Sequence, residues 1–312
     1  MLNKISIIIP VYNEEDNILP FYNQITKTIN VIKKYEFEFI FTDNNSSDKT
    51  YENIEKLIKL DDRIYVKKFT RNFGYQKSIL EGYKSCSGNC AIQIDVDLQD
   101  PTDLINDFIL AWERGYKVVS GIRVEREEGF LINSARRIFY RLLNKISEYE
   151  ILVDAGDFRL IDRCIIELLN KEINFHPYIR GTIASYGYKQ IGIPYKRMKR
   201  KIGYSKFNFF KLLSLSFDAI LNHSTFPLRI ASLIGVLTSC ITLFMVVIYL
   251  VLKIFFATDW PAGFATLILF ILISISINSL FLGILGEYLG RIYQQIKLNP
   301  GVIVEKESGR IN

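Results

Sequence analysis

The sequence predicts an α/β protein, a doubly wound and mostly parallel sheet flanked by helices and continued by a pair of membrane-crossing helices. Three observations carry this reading. Apolar, β-branched runs alternate with helically spaced segments, each run stops in a polar cluster, and two later stretches stay apolar over a bilayer's width.

Lys4-Ile-Ser-Ile-Ile-Ile-Pro-Val11 is the continuous run expected of a parallel strand buried on both faces, and it breaks into Tyr12-Asn-Glu-Glu-Asp-Asn17 before helical spacing resumes. A second strand, Phe37 to Asp43, ends in Asn44-Asn-Ser-Ser-Asp-Lys-Thr50, and a third, Ile64 to Phe69, ends in Thr70-Arg-Asn-Phe-Gly74. Ile92-Gln-Ile-Asp-Val-Asp-Leu-Gln-Asp-Pro101 then brings Asp95 and Asp97 to a strand end. Ligands of doubly wound sheets lie beyond the carboxyl ends of the strands, where all these clusters fall. No Gly-x-Gly-x-x-Gly follows the first strand, so a dinucleotide is not indicated. An Asp-x-Asp at such an edge suits Mg²⁺ or Mn²⁺ held against a diphosphate, with Gln99 adding a neutral oxygen or steadying a bound water. The structural alternative is a turn in which Asp100 or Thr102 caps a helix opened by Pro101.

With 49% hydrophobic residues among 312, the chain is too apolar for a purely soluble domain. Residues 230–252 and 262–286 each reach the roughly 20 residues a crossing needs, and the short link 253–261 makes them a hairpin. Lys196, Arg197, Lys199, Arg200, Lys201, Lys206, Lys211 and Arg229 precede it, and Arg291 and Lys297 follow. This charge pattern predicts an integral protein of the inner, cytoplasmic membrane with the soluble domain and both termini in the cytoplasm. No signal peptide is visible. Phe207 to Leu221 mixes apolar residues with Lys211 and Asp218, as a helix in the headgroup layer does. The expected organisation is a soluble domain over 1–206, a juxtamembrane amphipathic region over 207–226, two spans within 227–290 and a cytosolic tail over 291–312. The net charge of +6 clusters beside the membrane, which favours membrane lipids and phosphate substrates over nucleic acid. Cys86, Cys90, Cys164 and Cys240 form no Cys-x-x-Cys pair, and only His176 and His223 occur, so zinc, disulfide and thiol catalysis are not indicated.

Pro10-Val-Tyr-Asn-Glu14, Thr42-Asp-Asn-Asn-Ser-Ser-Asp48, Arg71-Asn-Phe-Gly74, Asp95-Val-Asp-Leu-Gln-Asp-Pro101 and Gly156-Asp-Phe-Arg159, in that order, resemble the glycosyltransferase family 2 enzymes of GT-A (Rossmann-like) fold. More narrowly they resemble the polyprenyl-phosphate glycosyltransferases, the group that includes dolichol-phosphate mannose synthase and the bactoprenol glucosyltransferases. The resemblance runs from about Lys4 to about Lys297. It implies that Pro10, Tyr12 and Glu14 line the nucleotide pocket, that Asp43 reads the base edge, and that Asp95, Asp97 and Gln99 hold metal and diphosphate. Where the family reads Asp-Asp-Gly-Ser this chain has Asp43-Asn44-Asn45-Ser46. The turn is expected to persist, because Asn tolerates left-handed backbone.

On the acceptor side, Arg123 at a strand end and Ser134-Ala-Arg-Arg137 at a helix start offer Ser134, Arg136 and Arg137 to a phosphate. Surface arginines are the ordinary alternative. Asp154-Ala-Gly-Asp-Phe-Arg159 matches the family's acceptor motif, with Asp157 at its acidic position and Arg159 following; an N-cap is the structural alternative. Arg200-Lys-Ile-Gly-Tyr-Ser-Lys206 matches the basic Gly-x-Ser-Lys loop that closes over the donor, placing Arg200 and Lys206 on the leaving nucleotide.

The expected reaction is metal-dependent hexosyl transfer with inversion, from a nucleotide sugar to polyprenyl (undecaprenyl) phosphate at the cytoplasmic face, giving a lipid-linked sugar donor for cell-surface glycan modification. A phosphate with a second pKa near 6 is already largely dianionic, so it needs no strong base. Asp157 then positions acceptor or sugar, or serves as base, beside Asp97 in the catalytic set. UDP-glucose is the first expectation for the donor; galactose, N-acetylhexosamine, mannose and aminoarabinose donors are alternatives. Processive polysaccharide synthases carry Gln-x-x-Arg-Trp, whereas Trp112 follows Ala111 and Trp260 follows Asp259 here. A non-enzymatic, membrane-tethered nucleotide-sugar binder is the alternative of another class. The resemblance also implies a homo-oligomer, a tetramer among the forms available.

Overall fold

The computed structural model describes residues 3–124, 152, 155–171, 178–198, 263–296 and 301–309, together with isolated positions between 233 and 255. Two compact units emerge, Met1–Ala219 with Asn299–Asn312, and Ile220–Leu298.

The first unit is one eight-stranded sheet in the order β7-β5-β6-β4-β1-β2-β3-β8. Its strands are β1 (Asn3–Val11), β2 (Tyr35–Asp43), β3 (Ile64–Phe69), β4 (Cys90–Gln93), β5 (Val118–Arg123), β6 (Ala155–Asp162), β7 (Gln190–Tyr195) and β8 (Val304–Ser308). The β1–β2, β1–β4, β2–β3 and β5–β7 pairs are parallel, whereas β6 runs antiparallel to β4 and β5, and β8 to β3. The helices are α1 (Ile18–Asn30), α2 (Thr50–Ile58), α3 (Tyr75–Ser85), α4 (Leu104–Glu113), α5 (Arg163–Lys171) and α6 (Ile179–Ser185).

The alternation of strand side chains between faces produces two cores. Ile5, Ile7 and Ile9 of β1 pack with Phe21 and Ile25 of α1, Ile54 of α2 and Phe108 of α4. Ile8 faces the other way, toward Ile79 and Tyr83 of α3 and Ile165 of α5. Each such side chain, withdrawn from water, stabilises the fold by roughly 1.5–3 kcal/mol. Gly82 is where α3 meets β1, since a Cβ there would stand 2.3 Å from Ile8 Cγ2. Cys86 and Cys90 flank the α3–β4 loop, both buried.

Three local expectations change. The strand before the acidic pair ends at Gln93, two residues short of Asp95. The helix after Pro101 starts at Leu104 with Asp103 at its N-cap position, so neither Asp100 nor Thr102 caps it. Ala155–Asp162 is a strand throughout, so Asp157 caps no helix; Asp162 at its end accepts the Cys164 N–H at 3.0 Å where α5 begins, and the ladder with β4 pairs Gln93 with Arg159. The chain beyond residue 300 is also more than a tail. Val304–Ser308 pairs with β3 as the last strand of the sheet, and Thr70 donates its N–H to Ile303 O at 3.0 Å.

In the second unit, α7 (Phe264–Ile296) is 33 residues long, about 50 Å at 1.5 Å per residue. Its stretch Ile273–Gly290 is long and apolar enough to cross a membrane, the one such helix among the described residues. Most of residues 230–252, and the whole amphipathic region 207–226, lie outside the described residues.

Candidate functional site

The strand order changes direction between β1 and β4: β1 leads outward to β2 and β3, while β4 begins the opposite half. The crevice at such a switch point is where open α/β sheets bind ligands. Pro10 lies two residues beyond the last β1–β4 pair, Ile8 with Gln93, so its missing N–H costs that ladder nothing. Past that pair β4 turns into Asp95 and Asp97.

Four expected donor-side residues gather here. Val11 pairs with Asp43 across β1 and β2, and the loops beyond them are tied together. Asn13 N–H donates to Ser46 Oγ at 2.9 Å, Glu14 N–H to Thr50 Oγ1 at 2.8 Å, and Ser47 N–H to Asn13 Oδ1 at 2.8 Å. Asn45 takes φ +64°, the left-handed turn that Asn supplies in place of glycine. Asp43 is fully buried; its Oδ1 accepts from Ser46 N and Oγ, while Oδ2 is buried without a partner. Burial raises its pKa, and the Ser46 hydrogen bonds offset part of that. Tyr12 is exposed.

The acidic motif is braced by Tyr75 and Gln93. Tyr75 O–H donates to Asp95 Oδ1 at 2.6 Å, and Gln93 Nε2 lies 3.1 Å from the same oxygen. Gly74, just before, holds φ +95° while its N–H meets Asn72 Oδ1 at 2.9 Å, and Asn72 accepts from Asn44 Nδ2 at 2.9 Å. Leu98, between Asp97 and Gln99, adopts φ +60°, a left-handed conformation costing leucine roughly 1–2 kcal/mol. The Asp95 pKa is pushed up to about 7, first by burial and then by Asp100 and Asp97. Crowded carboxylates of this kind call for a cation. Arg197 stands nearby, 3.6 Å from Asp97 Oδ2 and 3.5 Å from Asp100 Oδ1, yet Asp100 Oδ2 stays buried without a partner. A hard divalent ion fits this donor set of oxygens. Among the described residues no group of three or more His, Cys, Asp or Glu side chains forms a complete metal cage. Any ion held by Asp95 and Asp97 therefore needs oxygens from elsewhere, as phosphate and water supply.

One strand further from the switch point, on β6, the charge reverses. Continuing the β4–β6 register by two residues sets Asp157 opposite Asp95, and each carboxylate is close enough that Asp157 contributes to raising the Asp95 pKa. Asp157 receives Arg180 Nε and Nη2, both at 2.9 Å, and Arg159 Nη2 at 3.0 Å. Burial alone would raise its pKa, but Arg180, Arg159 and Arg123 outweigh it and hold the carboxyl well below the usual carboxylate range. The arginines thus favour the ionised form of Asp157. Arg180, on α6, was invisible because nothing in its neighbourhood of sequence points to Asp157. Arg123 ends β5, as expected, and pairs in register with Tyr195. Its guanidinium lies over Gly156, 3.1–3.3 Å from where a Cβ would be. Ser134, Arg136, Arg137, Arg200 and Lys206 lie outside the described residues.

The family description of Glycosyl transferase family 2 matches residues 6–169. The chain is 37% identical over 306 residues to the uncharacterized glycosyltransferase YkcC of Bacillus subtilis, covering 97% of this chain and 94% of that one. It is 34% identical over 304 residues to the SfII prophage-derived bactoprenol glucosyl transferase of Shigella flexneri, covering 97% and 98%. Among solved structures, mannosyl-3-phosphoglycerate synthase from Rubrobacter xylanophilus overlays with a TM-score of 0.49 at 15% identity, over 70% of this chain and 72% of that one.

Proposed function

This chain belongs to glycosyl transferase family 2, and from that premise we propose that it transfers a hexose, glucose from UDP-glucose foremost, to polyprenyl phosphate at the cytoplasmic face of a membrane. One observation carries the reading: a single sheet edge presents Asp43 at the end of β2 and Asp95 and Asp97 just past β4, and next to them, from β6, β5 and α6, Asp157 with Arg159, Arg123 and Arg180 around it. A nucleotide sugar with its cation suits the first half; an anionic phosphate acceptor suits the second. The relationship to a bactoprenol glucosyl transferase supports the lipid carrier and the glucosyl group.

Pro10, Tyr12 and Glu14 bound the nucleotide pocket, and Asp43 Oδ2 is the atom left for a base N–H. Asp95 and Asp97, with Gln99, are the residues to hold Mg²⁺ or Mn²⁺, which when bound would offset charge on the departing diphosphate. An oxygen of the acceptor phosphate attacks the sugar C1 while the bond from C1 to the nucleotide diphosphate breaks. An α-linked donor then gives a β-linked lipid phosphate sugar. Asp157, permanently ionised, fixes the orientation of Arg159 and Arg180 and takes no proton. Arg200 and Lys206 are the residues assigned to the charge of the leaving nucleotide, and Ser134, Arg136 and Arg137 to the acceptor phosphate.

The two-helix hairpin draws support from the last strand. A chain that leaves the sheet after β7 and rejoins it at β8 begins and ends on one side of any bilayer, so it crosses an even number of times. With α7 as one crossing, the apolar residues 230–252 are the candidate for the other. The exposed Leu267, Phe270, Leu282 and Leu289 along α7 favour a lipid environment. The test is to incubate the purified full-length protein with Mn²⁺, undecaprenyl phosphate and a panel of radiolabelled nucleotide sugars, then extract the lipid. Label in the lipid phase from UDP-glucose supports the reading; label released only as free sugar, or retained only by binding, contradicts it.

A further inference from the structure

Asp100 follows the acidic motif and belongs to neither half of the site as the sequence divides it. It is 2% exposed, and its Oδ1 accepts the Tyr195 hydroxyl at 2.5 Å. The same hydroxyl receives Arg123 Nε–H at 3.2 Å. A phenol has one proton to give and lone pairs to accept with, so the bridge has a direction: guanidinium to phenol to carboxylate. The ring is held as firmly as the oxygen. Tyr195 meets Phe158 edge-on with centroids 6.0 Å apart, and Gly121 leaves room for it, since a Cβ there would stand 2.7 Å from Tyr195 Cε1. Arg123 is therefore fixed from two sides, by Tyr195 at its Nε and by the bare backbone of Gly156 beneath its guanidinium plane.

We propose that the Tyr195 hydroxyl is a positioning group for acceptor binding, tying Asp100 of the donor-side turn to Arg123 so that the guanidinium lies on Gly156 in the orientation that receives the lipid phosphate. This rests on the acceptor assignment made above, and deepens it. Tyr195 touches neither substrate in this role. Its removal should weaken the acceptor and leave the donor alone, a split that general loosening of the fold would not produce.

The experiment uses full-length protein in detergent with Tyr195→Phe and, independently, Gly156→Ala, which disturbs the same guanidinium from below without touching the phenol. Farnesyl phosphate binding is measured by calorimetry without donor, and UDP-glucose binding with Mn²⁺ without acceptor. Both variants should weaken farnesyl phosphate by about tenfold, the scale of one hydrogen bond to a charged group, with UDP-glucose affinity within twofold. Equal loss for both ligands, or unchanged farnesyl phosphate affinity in either folded variant, overturns the proposal. If Tyr195→Phe fails to fold, Gly156→Ala decides alone. Wild-type protein that binds farnesyl phosphate but transfers no sugar sinks the proposed reaction while the affinity split still judges Tyr195; wild-type protein that does not bind it overturns the positioning role as well.

Discussion

Replacing Asp157 by Asn separates a positioning carboxylate from a base. Asp157 makes three hydrogen bonds to arginine, two at 2.9 Å from Arg180 and one at 3.0 Å from Arg159. Asn keeps one acceptor oxygen for the two bonds at Oδ1, while its Nδ2, a donor, meets Arg180 Nη2; one bond to a charged group, about 1.5–3 kcal/mol, is lost outright and the other two weaken, roughly 3 kcal/mol in all. That corresponds to a fall of roughly 10²-fold in kcat/KM for sugar transfer, at about 1.36 kcal/mol per tenfold. Because its folded pKa is held below the usual range, Asp157 stays ionised throughout the assay window. The pH profiles of wild type and Asp157→Asn, taken from about pH 6 to 9, should then be parallel and separated by one factor. A wild-type limb that vanishes in the variant would mean that Asp157 takes a proton, and full activity in the variant would remove it from the site. The same depressed pKa stabilises the folded state above the unfolded carboxyl value of about 3.9, and that stability is lost progressively as the pH falls below it through the folded pKa.

Asp95 behaves in the opposite sense, since a folded pKa of about 7 favours the fold only while the carboxyl is protonated. Without metal the protein should lose stability between about pH 4 and 7, and Mn²⁺ should raise the Tm more at pH 8 than at pH 5; a metal shift independent of pH in a fluorimetric melt contradicts this. Asn45→Gly should alter stability by less than about 1 kcal/mol, whereas Asn45→Val, forced to φ +64°, should cost roughly 1–2 or more, read from urea midpoints. Gly82→Ala places a methyl 2.3 Å from Ile8 Cγ2 and should cost about 1–3 kcal/mol by the same measurement; a neutral result would show that α3 shifts freely on β1.

Part of the sheet edge was legible because its signals are local. β-branched runs that stop abruptly in Asn, Asp and Ser mark strand ends, and Asp43 does end β2 while Asp95 and Asp97 follow the end of β4. The left-handed turn at Asn45 was likewise predictable from what Asn tolerates. What escaped were partners distant in sequence. Tyr75 on Asp95, Arg180 on Asp157 and Tyr195 on Asp100 each join side chains brought together by strand order, which no spacing along the chain encodes. β6 was missed because Ala-Gly-Asp-Phe-Arg looks like a loop before a helix, and only its place between β4 and β5 makes it a strand. β8, with Glu305, Lys306 and Glu307 in its middle, has none of the apolar run that marked β1. An edge strand needs backbone pairing and little burial, and here Lys306 meets Glu55 at 2.8 Å while Tyr65 O–H reaches Glu307.

The most direct measurement is the anomeric configuration of the lipid product, read by proton and phosphorus NMR after purified protein converts UDP-α-glucose and undecaprenyl phosphate in the presence of Mn²⁺. A β-linked undecaprenyl phosphate glucose, absent when Asp97→Ala replaces the wild type, is the expected result. An α-linked product, or sugar transferred equally well by Asp97→Ala, would contradict a single displacement carried out between the acidic and basic halves of this sheet edge.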